Sequence, residues 1–396
     1  MSPTFIYIPK SGPQSGLQDF KINYLSVGAY SSIARDIWGD IYVWGLNNLG
    51  QLGDGSTSTR QTPTKNSTLS ALSVDTIEMG NGHCLYTLTT DSLIYGFGLN
   101  SAGQLGFPST TSQYLNPITV FSGGNIEAFG IGHGHSLISS AWAGGSNGLR
   151  LFTAGENNYS QLGRTGDDEA FEQITIPSEF DSMLGLTHKF SGGLDHSLIV
   201  FQTNIIYGVG RNNSGQLGLG HTTSPITTPT LIPNTATLFG FSNPKQIECS
   251  KDATYVLTDN GKVWVTGENS VGQLGLGDAS DRSSFTQITT VNDGTSNQTI
   301  GIITKIGIGW DQIALLDSNG KIYLAGGGLT STPTIDTYQV NNPSIVFSDV
   351  DCGNDFTIAK DNNNVAWARG VNASFQLGLG DTTPRTEFTK VQYTLP

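Results

Sequence analysis

An all-β protein, folded as a seven-bladed β-propeller, is the class that this 396-residue sequence predicts, and three observations carry the expectation. The tripeptide Gln-Leu-Gly recurs six times, with its glutamines at Gln51, Gln104, Gln161, Gln216, Gln273 and Gln376. The spacings are 53, 57, 55, 57 and 103 residues. The last is about two steps of 51, so one copy is lost near residue 330 and seven units of roughly 50 to 57 residues remain. Finally, the 51 glycines, short β-branched and aromatic runs, and absence of an amphipathic helical pattern point to strands joined by tight turns. A linear β-solenoid is the rival, but its coils are usually shorter than about 50 residues. A closed ring also leaves only short, protected sheet edges.

Each unit reads as a series of short strands. Six residues before the glutamine, or its equivalent, stands a glycine in every unit: Gly45, Gly98, Gly155, Gly210, Gly267, Gly326 and Gly370. Three residues before it is an aromatic: Tyr42, Tyr95, Phe152, Tyr207, Trp264, Tyr323 and Trp367. This segment is a strand ending in a reversal, where glycine is expected because it alone adopts positive φ without steric cost. Upstream lies a second strand, seen in His83–Tyr86, His135–Ile138 and His196–Ile199, with a glycine three residues before its start in six units. Hairpin turns such as Asp259-Asn260-Gly261 and Ser318-Asn319-Gly320 join the two strands. A Ser/Thr/Pro-rich loop and another apolar strand, for example Ile118-Thr119-Val120, complete the unit. The Leu of Gln-Leu-Gly is expected between adjacent sheets, where burial contributes about 1.5–3 kcal/mol. The Gln amide is expected to satisfy loop backbone groups.

These columns resemble the repeats of the regulator of chromosome condensation family. Gly132-His133-Gly134-His135-Ser136 matches its Gly-x-x-His-Ser strand, and Val263-Trp264-Val265-Thr266-Gly267-Glu268-Asn269-Ser270-Val271-Gly272-Gln273-Leu274-Gly275 matches the strand and loop that follow. The resemblance covers roughly residues 23 to 393 and implies a seven-bladed propeller at 23–396, preceded by an N-terminal segment at 1–22. It implies the binding of protein partners on a face or rim, as in members that serve as exchange factors, ubiquitin-ligase subunits, a photoreceptor or secreted inhibitors. The photoreceptor's Gly-Trp-Arg-His-Thr pattern is absent here. Repeats such as Gln51–Arg60 and Gln376–Arg385 look more like the Thr/Ser-rich bacterial and phage members. The resulting expectation is a non-enzymatic binding or structural module, such as a virion component of a large assembly. A regulator of a small GTPase is the alternative.

The chain carries 32 acidic and 19 basic residues, a net −13, which opposes nucleic-acid or anionic-lipid binding by clustered lysine and arginine. No apolar run approaches the roughly 18 residues of a membrane span, and the N-terminus lacks the pattern of a signal peptide. A soluble protein of virion or cytoplasm is expected. Cys84, Cys249 and Cys352 form no CxxC pair and are expected as buried thiols. No cofactor is expected, and no metal. His83, His135 and His196 share one column, but equivalent positions on successive blades lie too far apart for ligands that must each approach within about 2.0–2.1 Å. Asp195-His196-Ser197 holds triad residue types, yet strand neighbours point to opposite faces.

Partner-binding residues are therefore expected where the repeat is broken. The third unit carries a longer hairpin at 141–150 and an excursion from Arg164 to Lys189 with the acidic cluster Asp167, Asp168, Glu169 and Glu172. The sixth unit replaces Gln-Leu-Gly with a glycine-rich run containing Leu329 and Thr330. An insertion at Val291–Ile300 separates units five and six. The apolar run Phe5–Ile8 in the N-terminal segment is expected to supply a ring-closing strand beside Phe388–Tyr393.

Overall fold

The computed structural model describes residues 17–141, 149–175, 188–201 and 204–394. They form seven sheets, antiparallel but for one pairing in the sixth, here called blades 1 to 7, at 22–65, 74–121, 125–173, 188–231, 244–287, 290–335 and 347–390. Six blades are four-stranded meanders in chain order. Blade 6 has six strands, because the insertion folds as a hairpin of Thr290–Asn292 and Asn297–Thr299, whose Asn292 pairs in parallel with Thr334. The inter-blade links hold one-turn helices, Ser67–Ser70, Thr235–Leu238 and Thr337–Asn341, too short to leave a periodic signature.

First strands of neighbouring blades touch around the whole circle and line a central cavity of about 820 Å³. An antiparallel meander puts the turn between strands one and two at the same end as the loop between strands three and four. That end is called the crown face. The hairpins joining strands two and three, together with the links between blades, make the opposite, hairpin face.

Blades are cemented by apolar clusters that each draw on two sheets. The leucines Leu52, Leu105, Leu162, Leu217, Leu274 and Leu377 are all fully buried, as the sequence led us to expect. Leu377 of blade 7 packs with Trp44 of blade 1, and Leu52 of blade 1 with Phe97 of blade 2. The glycines ending the third strand all have positive φ, from 78° at Gly326 to 112° at Gly155. The other glycine column has a different cause. A Cβ on Gly132, Gly193 or Gly353 would collide with the ring of His135, His196 or Phe356, which lies flat against the glycine three residues earlier.

The chain ends meet. Leu17–Asp19 pairs antiparallel with Gln392–Thr394, outside the blade sheets. Phe20 N–H donates to the Val391 carbonyl at 2.9 Å, and the Ala366 N–H donates to the Phe20 carbonyl at 2.8 Å, before the chain enters blade 1 at Ile22. The run Phe5–Ile8 lies outside the described residues.

Candidate protein-binding face

The repeated polar residues are used inside the ring. In every intact unit the Gln Oε1 accepts the backbone N–H two residues earlier, from Leu49 to Gln51 at 2.9 Å through Ser374 to Gln376 at 2.8 Å. An Asn five residues before the Leu, buried in five loops and half-buried at Asn157, accepts that Leu's N–H at 2.9–3.1 Å in all six loops. The carbonyls of Gln104, Gln161, Gln216 and Gln376 accept a bond from the next blade, for example from Trp44 Nε1 to Gln376 at 3.0 Å and from Thr254 Oγ1 to Gln216 at 2.7 Å. These loops are thus rigid platforms, and their Gln-Leu-Gly residues are occupied.

The histidine column is also structural. Ser136 Oγ donates to the Gln104 carbonyl at 2.8 Å, so its one proton is spent and His83 Nε2–H must donate to it at 3.0 Å. The same relay links His135 to Ser197 and Gln161, and His196 to Thr254 and Gln216. Each ring is a neutral donor crossing to the next blade, and burial lowers all three pKa values to about 3. An unfolded histidine binds protons below about 6.5, whereas these do not, so their contribution is complete above that pH and is lost as pH falls toward 3. Replacing His135 with asparagine should flatten the fall of stability between pH 6.5 and 3, by up to about 1.4 kcal/mol per pH unit. Urea titrations of both proteins across that range would test it. Identical slopes would contradict the assignment.

The acidic cluster of unit three comes together on the crown face, but most of it is engaged. Arg164, buried in the loop, sits 3.7 Å from Asp168 and 3.4 Å from Glu172. Glu169 reaches blade 2, where it accepts from the Ser109 N–H at 3.0 Å and from the Ser109 hydroxyl. Asp167 is exposed and its carboxylate accepts the Glu169 N–H at 3.0 Å. Leu329 and Thr330 are exposed three blades away, so the two candidate groups share a face but not a site. The distal part of the excursion, 176–187, and residues 142–148 of the long hairpin lie outside the described residues.

Blade 6 differs most. Only residues 327–333 join its third strand, Ile322–Gly326, to its fourth, Thr334–Ile335, where 268–281 and 371–384 serve in blades 5 and 7. The absent loop would have braced the third strand of blade 7, as Gln376 braces Trp44. Arg369 takes its place, paired with Asp336, whose side chain is wholly buried. Burial raises the Asp336 pKa and the Arg369 charge opposes that rise.

The crown face also carries the residues that sequence reading missed. The turns between first and second strands set seven residues around the channel mouth: Ala29, Asn81, His133, Leu194, Lys251, Trp310 and Asn354. Trp310 of blade 6 crosses the mouth to meet His133 of blade 3, edge to face at 5.2 Å, and Asn81 Nδ2 lies 2.7 Å from His133 Nε2. Desolvation lowers the His133 pKa. Deeper in the channel, Glu78, Glu248 and Asp351 face one another from three blades, part-accessible to water yet walled in by protein. Desolvation and mutual repulsion push Glu78 up to about 8, while desolvation, with Glu248 nearby, pushes Asp351 up to about 7. No group of three or more His, Cys, Asp or Glu side chains is placed to hold a metal ion among the described residues. The thiols of Cys84 and Cys352 are buried and that of Cys249 is half-buried, with burial raising all three pKa values. No helix among the described residues is long and apolar enough to cross a membrane.

Comparison with known proteins agrees with this geometry. The family model for the regulator of chromosome condensation (RCC1) repeat matches residues 39–86 and 204–257, and a second model of the same repeat matches 245–273. The chain is 27% identical over 386 residues to the ultraviolet-B receptor UVR8 of Arabidopsis thaliana, covering 94% of this chain and 81% of that protein. It is 30% identical over 211 residues to the probable E3 ubiquitin-protein ligase HERC4 of Homo sapiens, covering 52% of this chain but only 19% of the ligase. Among solved structures, human WBSCR16 aligns with a TM-score of 0.72 at 20% identity, covering 89% of this chain and 93% of that one. Prp20p of Saccharomyces cerevisiae aligns with a TM-score of 0.68 at 17% identity, covering 85% and 82%. The chain is a seven-bladed β-propeller that carries regulator of chromosome condensation repeats.

Proposed function

We propose that this chain is a non-enzymatic protein-binding module whose partner docks on the crown face. The observation that carries the reading is a division of labour. The recurring Gln, Asn, His and Leu side chains are consumed in bracing the ring, while the same face leaves Tyr30, Tyr159, Val271, Leu329 and Val371 substantially exposed. Binding residues concentrate on loops that vary over a rigid frame, and the crown holds the loops that depart from the repeat. Leu329, Thr330 and Asp167 are the proposed contacts among the repeat-breaking residues, with Asp168, Glu169 and Glu172 holding the blade 3 loop in shape. Prp20p is described as binding Gsp1p and histones, and a protein partner for this chain is inferred by that likeness. The Ser/Thr-rich, weakly charged loops further suggest a structural place in a large assembly, such as a virion.

Affinity capture with the full chain as bait, repeated with Tyr159→Ala and Val271→Asp, tests the docking face. Capture should fail with the crown variants and persist with Phe241→Asp on the hairpin face, where Phe241 is 77% exposed. The reverse pattern would refute it. Regulation of a small GTPase is the second reading, favoured by the fold shared with Prp20p. Accelerated nucleotide release from a candidate GTPase would support it, and no acceleration would leave the structural role.

A further inference from the structure

The shortened loop of blade 6 opens a notch in the crown, flanked by the longer loops of blades 5 and 7. Trp310 and Asp311 belong to the crown turn of blade 6 and Leu329 and Thr330 to the shortened loop, while Glu268 and Val271 belong to the blade 5 loop and Asp355 and Val371 to the crown turn and loop of blade 7. A Cβ on Gly327 would stand 3.4 Å from the Asp355 carboxylate and 3.7 Å from the Asp311 carbonyl, which places the shortened loop against both turns. Val271, Leu329 and Val371 are 47%, 39% and 42% exposed.

The charges of this notch differ from those of the surrounding loops. Elsewhere on the crown each loop arginine is neutralised by its own loop or a neighbouring turn: Arg60 by Asp54, Arg164 by Asp168 and Glu172, Arg211 by Asp195 and Asp252, Arg282 by Asp278, and Arg385 by Asp381. Glu268, Asp311 and Asp355 form no ion pair among the described residues. Lys251 on the neighbouring turn is the basic group that acts on Asp311. The remaining repulsion is visible in Asp311, whose pKa is raised by desolvation and by Glu268, Asp355 and Asp252 against the pull of Lys251. Three carboxylates held on separate blades cannot move apart, so an incoming cation would relieve a cost already built into the fold.

We propose that the blade 6 notch seats an extended segment of a partner protein in which lysine or arginine alternates with apolar residues. The basic side chains meet Glu268, Asp311 and Asp355, and the apolar ones cover Val271, Leu329, Val371 and the half-buried Trp310. This rests on the crown-face reading and narrows it to one sector and one partner chemistry. Arginine suits the site well, because its guanidinium both pairs with carboxylates and stacks on an indole.

Fluorescence anisotropy with a labelled peptide of alternating arginine and leucine tests the idea on the full chain. Arginine–glycine and glutamate–leucine peptides serve as controls. The arginine–leucine peptide should bind best, and the double variant Glu268→Gln/Asp311→Asn, or Leu329→Ser, should weaken it at least tenfold. Asp259→Asn on the hairpin face should leave it unchanged. Circular dichroism and melting curves establish that each variant is folded. Equal binding of wild type and notch variants, or no binding, would overturn the proposal. So would concentration-dependent self-association in sedimentation that the notch variants abolish, since a second copy would then occupy the site. A captured partner that footprints on the crown but away from blade 6 would sink this inference and spare the crown-face reading. A footprint on the hairpin face would sink both.

Discussion

Replacing Arg369 with alanine is expected to destabilise the protein by about 3–5 kcal/mol, because it leaves the Asp336 carboxylate buried without its counter-charge. Elsewhere Gln-Leu-Gly supplies a buried leucine to the junction, and at Gln104, Gln161, Gln216 and Gln376 a carbonyl to the next blade. Blade 6 has neither, and Arg369 together with Asp336 and the short helix Thr337–Asn341 occupies that junction. Asp336 also caps this helix, accepting the Tyr338 N–H at 2.9 Å. The expected loss therefore exceeds that of a surface ion pair, which contributes about 0–1 kcal/mol. Asp336→Asn alone should be damaging, whereas the paired change Arg369→Met/Asp336→Asn should recover much of the loss. Urea denaturation of the three variants gives the comparison. A loss below about 1 kcal/mol for Arg369→Ala would mean that the pair does not replace the missing loop.

Phe20→Ala should have a loss of similar size, about 3–5 kcal/mol, through the cavity it opens where the chain ends meet. Phe20 is fully buried and its ring lies edge to face with Tyr42, Trp44 and Tyr393, at centroid separations of 5.1, 5.8 and 4.9 Å. It thus joins blade 1 to the C-terminal strand, and its backbone bonds to Val391 and Ala366 hold the same junction. By contrast, the Asp19–Lys390 pair beside it is solvent-exposed at 2.8 Å and should matter little. A melting scan of Phe20→Ala against Asp19→Asn separates the two contributions. Equal, small shifts would show that the ring closes without this aromatic junction.

The contrast between these residues and the repeat shows what a sequence can display. Features required in every blade are legible, since seven copies of one constraint stand out against drift. The buried leucines, the positive-φ glycines and the strand order follow from that. The cause of a column can still escape notice: Gly132 and Gly193 are there because the His135 and His196 rings lie against them, not for their φ. Compensation at a single junction leaves no column, and Arg369 and Asp336 are 33 residues apart in different structural units. Glu268, Asp311 and Asp355 are likewise isolated in the sequence and meet only because the ring brings three turns to one rim. Asp167, Asp168, Glu169 and Glu172 are the converse. Their proximity was obvious, but Arg164 and Ser109, which engage three of them, were not.

The central claim is that repeated residues build the ring while the crown face, through residues that vary between blades, receives the partner. Hydrogen–deuterium exchange of the full chain, alone and with its captured partner, tests this most directly. Slowed exchange is expected in the crown turns and loops, foremost in 327–333 and 371–384. Protection confined to the hairpin face, around Phe241 and Ile302, would contradict it.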